Sequence, residues 1–549
     1  MSVARVDRVP YSIAGFGETL THDLAFGVPA ALNFFPAQRF DAVTSQIDRR
    51  TYPRADVAAV LEASATKFGA PDAVLKNIAA LRETNTYVIA TGQQAGFLGG
   101  PLYSLHKALS TIQLARKLEA ESGGRSRFVP IFWIAGDDHD MAEIDHAYIL
   151  QPDANVARVK TALSAQSAGC SACDAFVDRS EANLSALRGE LAAALKDDAL
   201  AEDYVKIYSG QSLSDAFATL IYKLLGELGL VVAQSSDMRR FSSDLLLREL
   251  NEFDVTTRLI QEAALALQNA GYKAGFSGHG REGPHFFIAR PPERIRAHLD
   301  LGADEFQERS PAFAQRGLQP HRFKKAELAE TIRSQPELFS CAAALRPVLQ
   351  QKIFPVAAAV LGPGEIAYWA QLKSVHDHFG AVWPVVVPRA SLTLIDGVGE
   401  KALRKLGIAP GSPEMFLETE ALTKKLLVGA SVGGSLESRI ARIDAELAAM
   451  EAEVHAVDGG LKPLFDKSRE RIGHELARIV EKTRASLGQR EGAGAARLAY
   501  LAALVRPKKA PQERTLAVGP WMARYPTLAK DLLDVIDVPA RDHLIVTLA

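Results

Sequence analysis

Two stretches of the chain decide its predicted fold: residues 87–94 have the sequence YVIATGQQ, and residues 128–140 have the sequence FVPIFWIAGDDHD. Each begins with an apolar run, typical of a strand buried on both faces of a parallel sheet, and ends in polar residues. Between them, apolar residues from Leu102 to Leu118 recur at helical spacing, and Pro101 suits a first helical turn. Strand, helix and strand predict a right-handed βαβ unit. Both polar ends are then expected at one edge of the sheet, where open α/β sheets bind ligands.

The rest of the chain predicts an α/β protein whose Rossmann-like parallel sheet is interrupted by helical and mixed insertions. The first 80 or so residues are expected to be mostly helical and irregular. Further strands are expected at 228–232, 354–361 and 383–387, and insertions at about 150–215 and 250–350. We therefore expect a core domain over residues 1–415 and a C-terminal segment, 506–549, that returns to this core.

A heptad pattern predicts an antiparallel α-helical coiled-coil arm over residues 416–505. Apolar residues alternate at spacings of four and three from Leu436 to Val457, and a second apolar stretch runs from Leu464 to Leu487 beyond a Gly-Gly pair. A helix with such a seam needs a partner, and a glycine turn supplies an antiparallel one. Any seam left exposed favours a homodimer; alternatively, the hairpin packs only within its own chain.

The composition favours a globular cytoplasmic protein over a membrane or nucleic-acid-binding protein. The 549 residues carry a net charge of −2, so nothing attracts a polyanion, and 48% of them are hydrophobic, as in globular proteins. Three cysteines are too few for a disulfide framework and suit a reducing compartment. The N-terminus has no apolar signal sequence, and no apolar stretch approaches the roughly 18 residues of a membrane span.

The turn after the first strand is a candidate anion site. Its backbone N–H groups, beside a helix N-terminus, can bind a carboxylate or a phosphate. Alternatively, the glycines are there only because a tight turn needs their backbone conformation. His106 and Lys107 lie early in the following helix, where a cation steadies charge on an oxygen; alternatively, they are a helix-face histidine and a solvated lysine. The residues assigned here are Thr91, Gly92, Gln93, Gln94, Gly100, Tyr103, His106 and Lys107.

The densest polar cluster, Asp137 to Asp140, follows the second strand. A carboxylate here can bind an amine and accept its proton, so Asp138, His139 and Asp140 are candidates for proton transfer, and Asp137 and Trp133 for substrate contacts. The same residue types suit a divalent metal, but adjacent residues on an extended segment point to opposite sides, so no metal is firmly implied. Helix capping by one of the first two aspartates is a third interpretation.

Three later segments also carry candidate site residues. A strand-to-helix turn at residues 362–365 has an acid that suits a helix N-terminus, and the aromatic residues after it can stack on a sugar or base, or fill the core. Arg389 and Ser391, after the next predicted strand, can bind a phosphate or a carboxylate. Alternatively, the arginine forms a surface salt bridge and the serine belongs to a turn. The substrate candidates are Gly362, Gly364, Glu365, Tyr368 and Trp369, and the nucleotide candidates are Arg389, Ser391, Gln512 and Arg514.

Together these motifs resemble the bacillithiol biosynthesis cysteine-adding (BshC) family. The likeness depends on TGQQAG at 91–96 followed by GPLYSLHKA at 100–108, on VPIFWIAGDDHD at 129–140, and on LGPGEIAYWAQ at 361–371 with PRAS at 388–391. With the heptad region, it covers nearly the whole chain. The pattern departs at Asp137, where a glutamate is usual, and residues 277–288 are only loosely similar.

The resemblance implies a ligase that adds L-cysteine to the amine of glucosaminyl malate to form bacillithiol. It also implies a synthetase-like core, a coiled-coil dimer arm, and an adenine nucleotide (ATP or ADP) near the arm and tail. His106 and the 92–100 turn would hold the acyl or anionic end, and Asp138, His139 and Asp140 the amine. Two alternatives stay open: a nucleotidyltransferase of the same fold acting on another acceptor, and a nucleotide-gated coiled-coil scaffold.

Overall fold

The computed structural model describes residues 3–14, 19–276, 283–417 and 432–549. The chain divides into two compact units, of which the first takes in the described residues of Met1–Gln151, Val156–Leu394 and Ala510–Ala549, and the second those of Pro152–Asn155 and Ile395–Lys509. The strands, in chain order, are β1 (Val3–Pro10), β2 (Thr86–Gln93), β3 (Arg127–Ile134), β4 (His146–Leu150), β5 (Val156–Lys160), β6 (Val231–Gln234), β7 (Phe286–Ala289), β8 (Arg296–Leu301), β9 (Glu305–Arg309), β10 (Arg322–Lys324), β11 (Phe339–Cys341), β12 (Val356–Leu361), β13 (Val385–Pro388), β14 (Ser391–Ile395) and β15 (Asp542–Leu548).

A five-stranded parallel sheet in the order β13-β12-β2-β3-β6 forms the centre of the first unit. Almost every residue of its strands is buried, which explains why their sequences are continuous apolar runs. The helix Tyr103–Glu121 connects β2 to β3. The predicted Rossmann-like parallel sheet is confirmed. Strand β2 is longer than the sequence predicts, because its pairing with β3 continues through Gln93.

Helices pack around this sheet and fill the insertions. In the first unit they are Tyr11–Ala14, Thr19–Ala25, Pro29–Leu32, Phe40–Ile47, Arg54–Lys67, Asp72–Ala80, Tyr103–Glu121, Met141–Ile144, Glu181–Leu195, Asp198–Ser209, Leu213–Leu225, Ser235–Met238, Ser243–Asn269, Pro311–Gln315, Lys325–Ser334, Arg346–Ile353, Pro363–Trp369, Lys373–His378, Gln512–Thr515, Val518–Arg524 and Leu528–Leu533. In the second unit they are Gly397–Leu406, Val432–Val457 and Lys462–Val505. No helix among the described residues is both long and apolar enough to cross a membrane.

Three further sheets complete the described part of the first unit. An antiparallel sheet in the order β10-β9-β8-β7-β11 lies in the second insertion, and β4 pairs with β5 as a hairpin in the first. A three-stranded sheet, β1-β15-β14, joins the two ends of the described chain. The expectation of a helical and irregular N-terminal region is wrong for Val3–Pro10, which pairs antiparallel with β15 and buries Val3 and Val9.

The second unit contains the predicted helical hairpin. Its two long helices are joined by a short turn at Gly459–Leu461 and bridged by ion pairs of Arg469 with Asp444 and Glu451, both at 3.1 Å, and of Lys462 with Glu451 at 2.8 Å. The antiparallel coiled-coil arm is therefore confirmed for the described part of the chain. Residues 418–431, and the side chains of Leu436 and Leu487 in the predicted seam, lie outside what the structure describes.

Candidate active site

The polar ends of β2 and β3 lie side by side. In the parallel pairing Gln93 is opposite Ile134, so the turn after β2 begins level with the acidic segment after β3. Gln94 Nε2 donates hydrogen bonds to Asp138 Oδ2 at 2.8 Å and to Glu143 Oε2 at 2.6 Å. The two segments that the sequence places at one sheet edge are therefore in direct contact.

Asp138 is held as a carboxylate. Burial by itself raises the pKa of this carboxyl group, but hydrogen bonds from Gln94 and from the backbone N–H of Asp140, together with the charge of Arg296, outweigh burial and hold the pKa below its usual value. A carboxylate of low pKa accepts hydrogen bonds from an ammonium group well and is a weak base. Asp140 itself is exposed.

A cavity of about 430 Å³ is lined in part by Asp137 and Asp138. This volume suits a small-molecule ligand. The other walls come from Ala135, from Ser235, and from the second insertion, including the segment that follows β11. The polar and ionisable residues of the lining are Asp137, Asp138, Ser235, Thr257, Gln261, His285, Arg296, Cys341 and Arg346.

Asp137 is neutralised by an arginine that lies about a hundred residues further along the chain. Arg239 donates to Asp137 Oδ1 from Nε at 2.9 Å and from Nη2 at 2.5 Å, and also contacts Cys173 Sγ at 3.3 Å. Burial by itself lowers the pKa of the Arg239 guanidinium, but the Asp137 carboxylate outweighs burial and raises that pKa above its usual value, so the guanidinium stays charged. Asp137 therefore fixes the cavity wall through a buried ion pair.

His139 is neutral, and its tautomer follows from its partner. Arg296 Nη1 lies 2.8 Å from His139 Nδ1. Because a guanidinium only donates, Nδ1 accepts this hydrogen bond and the ring proton is on Nε2. Burial and the charge of Arg296 lower the pKa of His139, which keeps the ring in this form.

Lys107 connects the end of β2 to the start of the helix Pro363–Trp369. Its Nζ donates to Gly92 O and Gln93 Oε1, both at 2.8 Å, and pairs with Glu365 at 2.5 Å. Glu365 also accepts the backbone N–H of Gly362 at 2.9 Å, so the acid caps this helix as the sequence suggests. Burial lowers the pKa of Lys107, and Glu365 opposes this effect.

His106 belongs to a different, fully buried cluster around Glu513. His106 Nδ1 lies 3.2 Å from Glu513 Oε2; Arg389 donates to the same carboxylate at 2.9 and 2.5 Å, and Ser391 Oγ at 3.0 Å. His543 Nδ1 lies 2.9 Å from Ser391 Oγ. Each of these side chains bonds to another member, and none lines the cavity, so the cluster holds the tail against the sheet.

The remaining predicted residues mostly support the fold around the site. Thr91 Oγ1 donates to Val360 O at 2.8 Å, and the Gln512 amide pairs with the backbone of Leu394 at 2.7 and 2.8 Å. Gly100 has a positive φ of 69°, Gly364 has open space around it, and the Tyr103 hydroxyl accepts a hydrogen bond from Gln93. Trp133 and Trp369 are buried, Tyr368 is hydrogen-bonded to Arg346, and Arg514 is exposed.

Two protein-family models match the chain and together cover most of it. One describes the N-terminal Rossmann-like domain of the bacillithiol biosynthesis protein BshC and matches residues 16–390; the other describes the C-terminal coiled-coil domain of BshC and matches residues 392–548. The chain belongs to the BshC family. Relatives include proteins named "putative cysteine ligase BshC" from Geobacillus thermodenitrificans, 29% identical over 87% of each chain, and from Salinibacter ruber, 28% identical over 98% of each chain. The chain is accordingly a ligase of bacillithiol biosynthesis.

Several residues at the BshC cavity escaped the sequence analysis. Arg296 and Arg346 come from the second insertion, and Arg239 lies between the two insertions, far along the chain from the aspartates they face. A single sequence holds no local signal for such pairings. Glu143, by contrast, lies only three residues beyond the acidic segment Asp137–Asp140 and is not among the predicted site residues, although it shares Gln94 with Asp138.

Proposed function

We propose that this BshC-family ligase joins L-cysteine to the amine of glucosaminyl malate, forming bacillithiol. One observation carries the proposal: the cavity holds Asp138, which suits an amine, together with two arginines, Arg296 and Arg346, that form no ion pair with a carboxylate in the described ranges. An acceptor with an amine at one end and a dicarboxylic acid at the other complements this distribution of charge.

The two arginines are prepared for carboxylates. Arg296 is buried, contacts His139 and Ser340, and stacks 3.4 Å from the centre of the Phe287 ring. Burial lowers its pKa to about 10, so the guanidinium stays charged at neutral pH. Arg346 Nη2 donates to the Tyr368 hydroxyl at 2.6 Å. Neither guanidinium pairs directly with a carboxylate in the described ranges, so an arriving carboxylate gains a charge-assisted hydrogen bond that offsets the cost of holding these cations away from solvent.

Amide formation from a free carboxylate needs activation, and we propose an adenine nucleotide as its source. Three of the four residues first assigned to a nucleotide do not fit this role. Arg389 and Ser391 bond to Glu513 inside the protein, and Gln512 bonds to the β14 backbone. Arg514 is exposed, and we assign no nucleotide site from it alone.

The test is to incubate the purified protein with L-cysteine, glucosaminyl malate and ATP, omitting each in turn, and to measure bacillithiol by mass spectrometry. Asp138→Asn is expected to lose product formation, and Asp56→Asn, which changes an exposed helical aspartate, is expected to retain it. ATP–pyrophosphate exchange that depends on cysteine distinguishes an adenylate route from plain nucleotide transfer. Failure of the wild type to form bacillithiol under every condition contradicts the proposal.

We further propose that the arm forms a homodimer. Ile443, Met450 and Val457 recur every seven residues on one helix and are 42%, 52% and 82% exposed. On the antiparallel helix, Leu464 and Ile479 are 65% and 52% exposed. An apolar heptad stripe left in water on both helices of a hairpin is what a second copy of the hairpin covers in a coiled coil.

We propose the cytoplasm as the site of the reaction. Cys170, Cys173 and Cys341 are all unpaired thiols, and two of them are buried. Free thiols persist in reducing compartments. Cell fractionation with an antibody against the chain tests this location, and recovery outside the cytoplasmic fraction would contradict it.

A further inference from the structure

A buried carboxylate orients a histidine that lines the cavity. Glu249, on the helix Ser243–Asn269, is 0% exposed. Its Oε1 lies 2.6 Å from His285 Nδ1 and accepts the His285 backbone N–H at 2.8 Å, while its Oε2 accepts the Thr256 hydroxyl at 2.7 Å. Backbone, ring and carboxylate are therefore fixed together, just before β7 begins.

This geometry determines which nitrogen of His285 is basic. The carboxylate accepts the Nδ1–H, so in the neutral ring the lone pair is on Nε2. In the described ranges Nε2 has no hydrogen-bonding partner, and His285 is one of the residues lining the 430 Å³ cavity. A carboxylate–imidazole pair that presents a free nitrogen to a ligand cavity is the arrangement of a general base.

We propose that His285, oriented by Glu249, is the general base that takes the proton from the acceptor amine as the amide bond forms. This inference rests on the proposed function and adds to it a catalytic residue outside the acidic segment after β3.

The other ionisable groups in the cavity, and His139 beside it, are poorer candidates for this proton. Asp138 has a pKa below its usual value and is a weak base. The Nδ1 of His139 accepts a hydrogen bond from Arg296, which opposes protonation of that ring. Asp137 is paired with Arg239. Burial raises the pKa of the Cys341 thiol, so it stays protonated, and Arg296 and Arg346 are hydrogen-bond donors only.

The amine nitrogen attacks the carbonyl carbon of cysteine activated as a mixed anhydride with a phosphate group. The new C–N bond forms, the bond from that carbon to the phosphate oxygen breaks, and the phosphate leaves with the electron pair. One N–H proton passes to Nε2 of His285, and the imidazolium formed is stabilised by the charge of Glu249 until it releases the proton to solvent.

The kinetic test compares His285→Gln and Glu249→Gln with His298→Gln, a histidine of the neighbouring strand that does not line the cavity. We expect kcat to fall about 100-fold or more for the first and about tenfold or more for the second, with little change in KM for the acceptor. The acidic limb of the pH–rate profile disappears in His285→Gln. A wild-type kcat and pH profile in that variant would overturn the proposal.

A second readout does not depend on product formation. Diethylpyrocarbonate acylates neutral imidazole nitrogens, and peptide mass spectrometry locates the modified residue. We expect modification of His285 in the wild-type protein, slowed about tenfold by saturating glucosaminyl malate, and no such protection at His298. A His285 that does not react with diethylpyrocarbonate, or that glucosaminyl malate does not protect, contradicts the proposed role of the Glu249–His285 pair. If the wild-type protein makes no bacillithiol but glucosaminyl malate still protects His285 from modification, the proposed ligation is contradicted, whereas the position of His285 at the ligand site is supported.

Discussion

Replacing Glu513 with glutamine tests whether the buried cluster of the first unit is a source of stability. Four hydrogen bonds converge on this carboxylate: two from Arg389, one from Ser391 and one from His106. A glutamine amide offers one oxygen with two lone pairs, so at least two donors lose their acceptor, one of them on a buried cation. At about 1–3 kcal/mol for each unsatisfied donor, and about 3–5 kcal/mol for a broken buried ion pair, a loss of roughly 3 kcal/mol is expected.

The assay is urea denaturation followed by circular dichroism and tryptophan fluorescence. Glu62→Gln is the matched control, because Glu62 pairs with Arg82 at 2.8 Å on the surface, where such a pair contributes less than about 1 kcal/mol. The pKa of Glu513 lies well below its usual 4.5, so its contribution is present above that pH and is lost as pH falls through the folded-state pKa. The gap between wild type and Glu513→Gln should therefore narrow below about pH 4.5. A loss no larger than that of the surface control would refute this account of the cluster.

Three further outcomes are expected. Lys107→Met breaks the connection between Gly92 O and Glu365, so bacillithiol formation should fall about 100-fold or more in the mass assay; retained activity argues against a role for this cation. Met450→Glu places charge in the exposed seam and should convert a dimer to a monomer in light scattering; a wild-type protein that is itself monomeric would contradict the proposed homodimer. Burial lowers the pKa of His543 from 6.5 to about 3, so the unfolded chain binds one more proton between these values and stability falls as pH drops, by about 1.4 kcal/mol per pH unit. His543→Gln should flatten this decline in acid denaturation, and an unchanged slope would count against it.

The parallel sheet was predictable because its strands are buried on both faces, which leaves a continuous apolar run in the sequence. Strand β6 was expected to begin at Leu228 and begins at Val231 instead, since Gly229 adopts a positive φ of 83° and turns the chain first. Strand β1 was missed because it pairs with residues more than 500 positions away, Val9 with His543 for example, and such pairing leaves no local pattern.

The residues of the candidate site also fall into two groups, those that could be predicted from the sequence and those that could not. Gln94 and Asp138 were predictable, because each follows a strand of one βαβ unit and topology brings both to the same edge. Arg296 and the Glu249–His285 pair reach the cavity from the insertions, and only the packing of those insertions against the core brings them there. His106 was expected at the substrate on the basis of its place in a helix, but that position faces the buried Glu513.

The pairing of Arg389 with Glu513 bears on how the chain can be dissected. The first family match ends at residue 390, yet the carboxylate that neutralises Arg389 lies in the tail, 124 residues further on. A protein truncated at residue 390 would leave the buried Arg389 guanidinium without its carboxylate partner and is expected to aggregate. Leu394 and Gln512, however, are hydrogen-bonded to each other. Excising the arm and splicing residue 394 to residue 510 with a few glycines and serines therefore offers a rational design for an arm-free enzyme.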